Sequence, residues 1–152
     1  MRVSIPTLTL VVALGAVLGG CSSGTEKAGE PASAPAAAPV VIGGIDLVQP
    51  LRALGTEPFW AVDIAHETMV LTRPGVPDIT APTSSPVVTG TTAVFSGTTN
   101  TGQTLVVTVI ATECSDGMSD RTYRLTTRIE LGEETLNGCG DTVLALSQGP
   151  AA

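Results

Sequence analysis

The 152 residues predict an all-β domain, a small antiparallel barrel or sandwich of six to eight strands with one disulfide, and three observations predict it. Residues 122–131, TYRLTTRIEL, alternate with a period of two: Tyr123, Leu125, Thr127, Ile129 and Leu131 point one way, Thr122, Arg124, Thr126, Arg128 and Glu130 the other. Residues 104–112, TLVVTVIAT, are apolar on both faces and rich in Val and Thr, which suits the middle of a sheet. No stretch sustains a period of 3.6, the spacing a helix needs to bury one face.

The chain opens with a single charge, Arg2, and an apolar run from Ile5 to Leu18. That is the pattern of a secretory signal peptide over residues 1–20, and it is shorter than the roughly 20 apolar residues a membrane-spanning helix needs. The next string, Leu18-Gly19-Gly20-Cys21, resembles a bacterial lipobox, in which small residues precede the cysteine that becomes a lipidated N-terminus. The resemblance implies palmitate-type acylation at Cys21. At about 0.8 kcal/mol per buried methylene, two or more acyl chains hold a protein on a bilayer without a spanning helix. Ser22 in place of Asp resembles outer-membrane sorting in Gram-negative lipoproteins, so the expected address is the outer membrane, facing the periplasm.

Residues 21–44 read as the lipidated N-terminus and a linker. Ala, Pro, Ser and Gly dominate 22–44, too little is apolar to offset the entropy of ordering, and a flexible tether of this length reaches roughly 25 Å. The β-domain is expected over 45–148, one domain by size. Without residues 1–20, six Lys and Arg face fourteen Asp and Glu, a net charge of −8. Such a balance argues against nucleic acid and against electrostatic adhesion to anionic lipid, and it favours a basic partner.

Within the domain, VQPLRAL at 48–54 reads as a first strand. FWAVDIA and TMVLT follow, separated only by His66 and Glu67, the spacing of a two-residue hairpin. TAVFSGT at 92–98 pairs with 104–112 through the Asn100-Thr101-Gly102 turn. Residues 73–90 hold four prolines and read as a long connection with a short edge strand near Val87. ETLNG and TVLAL supply further short strands after the long one. Sequential antiparallel strands of this number close into a barrel, the favoured form, or pack as a sandwich to protect their edges.

Cys114 and Cys139 are the two thiols that remain after lipidation of Cys21, they sit in an exported chain, and both fall at strand ends, so a disulfide is expected. Residues 113–122, ECSDGMSDRT, raise the question of chemistry or scaffold. Asp116-Gly117 is a turn signal, and Ser115, Ser119 and Asp120 can satisfy the turn's backbone donors. Glu113, Asp116 and Asp120 lack the ligand spacing of a calcium loop, so no metal is expected there. A nucleophile at Ser115 or Ser119 would need the chain's one histidine, His66, as its base, and no cofactor is implied. In GTEPFW, residues 55–60, Phe59 and Trp60 point to opposite faces; Trp60 is weighed as a core residue against an exposed anchor for a partner, and Glu57 as a turn acceptor.

The strings Gly55 to Trp60, Cys114 to Asp120 with Tyr123, and Leu136 to Cys139 together resemble an uncharacterised family of Gram-negative envelope lipoproteins. Members of that family are sometimes joined to a domain like the membrane-bound inhibitor of c-type lysozyme, a lipid-anchored β-barrel with one disulfide. In those inhibitors a Ser-Gly-x-x-Tyr loop enters the lysozyme cleft, and residues 119–123 are similar apart from Asp120 in the glycine position. That family has no assigned activity, and the reading adopted for the chain is a non-catalytic binding module with Trp60, Ser119, Arg121 and Tyr123 as candidate partner-binding residues. Its alternatives are lysozyme inhibition and, third, a small hydrolase using Ser119, Glu57 or His66.

Overall fold

Two valines, an isoleucine and a Gly-Gly pair begin the fold. The structure, a computed structural model, describes residues 39–149, so the leader, Cys21 and the linker up to residue 38 lie outside the described residues. β1 (Val41–Ile42) and β2 (Ile45–Asp46) pair around Gly43 and Gly44, both at positive φ. β3 (Leu51–Thr56), β4 (Phe59–Ala65), β5 (Thr68–Arg73), β6 (Val76–Pro82), β7 (Val87–Thr89), β8 (Thr92–Thr98) and β9 (Thr104–Ile110) follow. A small hairpin of β10 (Cys114–Ser115) and β11 (Thr122–Tyr123) precedes the long pair β12 (Leu125–Leu131) and β13 (Glu134–Thr142), and α1 (Val143–Ser147) is one helical turn.

Nine of these strands form one antiparallel sheet in the order β6-β5-β4-β3-β13-β12-β9-β8-β7. The hairpins expected at His66-Glu67 and at Asn100-Thr101-Gly102 are present, the first with both residues at positive φ. The sheet curls until its ends touch: Asn100 N–H donates to the Thr80 carbonyl at 2.8 Å and Thr83 Oγ1 to the Ser96 carbonyl at 3.3 Å. Gly97 permits this approach, because a Cβ there would strike the Pro82 carbonyl. β6 and β7 thus cover successive parts of the free edge of β8, which leaves little ladder open for another chain to pair with.

Alternation puts one face of every long strand inside. Leu51, Val62, Met69, Leu71, Phe95, Leu105, Val107, Leu125 and Ile129 are buried together, and Thr127 and Leu131 of the expected inward set are buried as well; the strand expected over 122–131 is broken at Arg124, and Tyr123, on β11, is buried under the outer loop and not in this cluster. Ile42, Ile45 and Leu47 join the same core from the β1–β2 hairpin, at the mouth where Leu47 lines a cavity with Ile64, His66 and Phe95.

Four further expectations change. Residues 41–44, expected in the linker, are folded, and Ile42 is 1% exposed because its side chain helps to fill that mouth. Residues 76–82, expected within a connection, form β6, the end strand with β5 as its one ladder partner, a position where proline is tolerated. The sheet therefore has nine strands rather than six to eight, with the edge strand near Val87 present as β7. The TVLAL strand is instead the helical turn α1, started by Thr142, whose side chain accepts from Ala145 N–H.

Candidate binding groove beside the disulfide loop

The register of β13 explains where the loop sits. Gly138 and Gly140 face the interior opposite Thr127 and Leu125, so Cys139, between them, faces out, with Leu54 and Thr126 as its lateral partners. Cys114 bonds to it, with the Cα atoms 5.5 Å apart, and carries β10 and β11 onto the outer side of the sheet. The expected disulfide is present and it closes a stretch of 25 residues.

Asp116 organises the bend that follows. Its Oδ1 accepts from Met118 N–H at 3.0 Å and Ser119 N–H at 2.9 Å, and its Oδ2 accepts from Ser119 Oγ and from the Tyr123 hydroxyl, both at 2.9 Å. The backbone N–H bonds from Ser119 and Met118 hold the Asp116 carboxyl well below the usual carboxylate range. Burial, and next the bond to Asp116, push the Tyr123 phenol up. The serines do serve the turn: Ser115 Oγ accepts from Gly117 N–H and Ser119 Oγ from Arg121 N–H, each at 3.3 Å. From the sequence Asp116 was a turn residue and a rejected calcium ligand, not a hub; the signal for the hub is the serine three positions on, which fits an Asx turn.

Arg121 reaches the other way, donating to the carbonyls of Ala145 at 3.4 Å and Leu146 at 3.2 Å, so it ties the loop to α1. Beside it Arg124 pairs with Asp141 on β13. Burial alone would raise the Asp141 carboxyl, but the Arg124 guanidinium and the Thr142 N–H together hold it below its ordinary value.

The candidate partner-binding residues fall into different places. Trp60 is 4% exposed, so the anchor reading gives way to the core reading. Its indole lies between Gly55 and Gly138; a Cβ on Gly138 would be 2.8 Å from Trp60 Cζ2, and one on Gly55 would strike the indole nitrogen. Tyr123 is also 4% exposed and offers no ring to a partner. Arg121 is half-buried against α1, and Ser119 is exposed with its hydroxyl turned to Asp116. His66 lines the opposite mouth with Val48 and Pro86, away from the groove that Ser115 lines. Among the described residues no three His, Cys, Asp or Glu side chains converge as metal ligands.

What the structure does bring together is the GTEPFW hairpin and the disulfide loop. Thr56 Oγ1 lies 3.5 Å from the Asp116 carbonyl, within donating reach, and a groove of about 540 Å³ runs between Glu57, Thr56 and Leu54 on one side and Asp116, Met118 and Asn137 on the other. Across β3 a second depression of about 470 Å³ is lined by Leu54, Phe59, Ala61, Thr72 and Pro74. Phe59, 57% exposed, is the surface aromatic that the sequence reading passed over in favour of its neighbour. No family model, curated protein or solved structure matches this chain.

Proposed function

We propose that the chain is a lipid-anchored envelope protein, tethered through Cys21 to the outer membrane and facing the periplasm, whose β-domain is a non-catalytic binding module. The observation that carries this reading is the convergence of two strings far apart in sequence, residues 55–60 and 114–120, on the two walls of one groove. The loop's polar groups support it further. Asp116, Ser119 and Tyr123 are spent on one another, which makes a wall of fixed shape.

Inhibition of c-type lysozyme is a second reading, favoured by the domain's acidic surface. It would have to work without the Tyr123 ring, which is buried, and so through an acidic wall and not through an inserted Ser-Tyr loop. Titrating lysozyme with the purified domain at micromolar concentration tests it, and unchanged lysis rates would remove it. The binding reading is tested in the living envelope with a photo-crosslinking amino acid at Met118, on the groove, or at Glu133, on the β12–β13 turn. A discrete crosslinked product from position 118 and none from 133 is expected. Equal products from both, or none from 118, would defeat it.

A further inference from the structure

Charge on the described domain is distributed unevenly. All five of its arginines are engaged: Arg52 with Asp63 at 3.6 Å, Arg73 with Glu134 at 2.9 Å, Arg124 with Asp141, Arg128 with Glu130 at 2.7 Å, and Arg121 on the α1 carbonyls. The chain's one lysine, Lys27, lies outside the described residues. The net negative charge therefore resides on acids without a cation beside them. Two of these, Glu57 and Asp116, line the 540 Å³ groove, and no Lys, Arg or His among the described residues lines it. Asp116 already accepts four side-chain and backbone donors, so its charge acts at a distance, whereas the exposed Glu57 carboxylate has no ion-pair partner among the described residues.

The same strand is flanked by apolar surface. Met118, 68% exposed, borders the acidic groove, and Phe59 borders the depression on the other side of β3, where the one cation in the lining, Arg73, is neutralised by Glu134. Leu54, Gly55 and Thr56 line both cavities, so they are two halves of one surface. Exposed aromatic and aliphatic side chains are the composition of an interaction centre, and the unpaired Glu57 carboxylate beside them selects the sign of the partner's charge.

Resting on the binding reading above, we propose that this surface takes a protein segment carrying an arginine or lysine next to an aromatic or aliphatic side chain. The cation meets Glu57 in the groove and the apolar group lies on Phe59 and Leu54. An arginine suits this arrangement because its stem covers apolar surface while its guanidinium reaches a carboxylate.

The probe is an amidated seven-residue peptide alternating Arg and Phe, compared by fluorescence anisotropy with two relatives in which Glu replaces Arg or Gly replaces Phe. The parent peptide is expected to bind; the Gly relative binds at least about tenfold more weakly, and the Glu relative does not bind. Glu57→Gln should weaken the parent about fivefold and Phe59→Ser about tenfold, while Glu133→Gln, the same charge change elsewhere, moves it less than about twofold. All three positions are exposed, and melting curves confirm that each variant is folded. Absence of parent binding, equal binding of the Gly relative, or equal losses from Glu57→Gln and Glu133→Gln would overturn the proposal. Crosslinking at position 118 with any of these failures would leave the binding module standing and discard only the partner's chemistry.

Discussion

The indole of Trp60 and the carboxylate of Asp116 lie on opposite sides of one sheet and are held by different kinds of force. Trp60 is kept in place by shape: glycines on β3 and β13 clear a slot, and the ring fills it. Burial of an aromatic of this size, about 150–250 Å² at about 25 cal/mol per Å², is a contribution of roughly 4–6 kcal/mol from a single side chain. Asp116 is kept in place by direction: four donors to a charged acceptor, each net worth about 1.5 kcal/mol, and a covalent link two residues away at Cys114. The interior decides whether the chain folds. The outer loop decides the shape of the groove once it has folded, and the two can be attacked separately.

Trp60→Ala attacks the interior and should have the largest effect, a loss of about 3–5 kcal/mol. At about 4 °C per kcal/mol for a domain of this size, the melting temperature read by circular dichroism falls by at least about 12 °C. Replacing Cys114 and Cys139 together by serine removes the covalent link and costs about 3 kcal/mol in the chain-entropy account, measurable by urea unfolding. Two carboxylates, Asp116 and Asp141, have folded pKa values held below their unfolded ones. Their contribution is present in full above the unfolded value near about pH 4 and is lost as pH falls toward the folded values, so stability drops on acidification. Asp116→Asn should flatten that drop in a pH series of melting curves. Tyr123→Phe removes one donor from a charged acceptor and should cost about 1.5 kcal/mol with no change at Trp60. Arg128→Ala breaks an exposed ion pair on β12 and should change stability by less than about 0.5 kcal/mol, which sets the floor of the series.

Much of the interior was legible because alternation is a local signal: residues 125–131 announce their buried face one by one, and the wall between β8 and β9 follows from its own turn residues. The parts that escaped lack such a signal. β6 carries Pro77 and Pro82 and has exposed residues along most of its length, so it reads as a connection until its place at the edge is known. α1 is five residues long, too short to show a helical period. The fate of Trp60 against Phe59 was decided by Gly138, brought to Gly55 only when β13 pairs with β3; nothing within GTEPFW states which ring goes inside beyond their opposition. The groove has the same origin, since its two walls come from strings that only the disulfide and the curl of the sheet bring within reach. The Cys114–Cys139 bond, by contrast, was readable from exported context and cysteine count.

Trp60 is the chain's one tryptophan, and its fluorescence therefore reports on the interior alone. The most direct test of a separable interior and loop is acrylamide quenching of that tryptophan, followed in parallel with amide exchange at Met118 and Ser119, before and after reduction of the disulfide at neutral pH. The account predicts that reduction leaves the indole shielded and its emission blue-shifted while exchange at the two loop amides accelerates. Quenching that rises together with loop exchange would contradict it, because loop and interior would then be one cooperative unit.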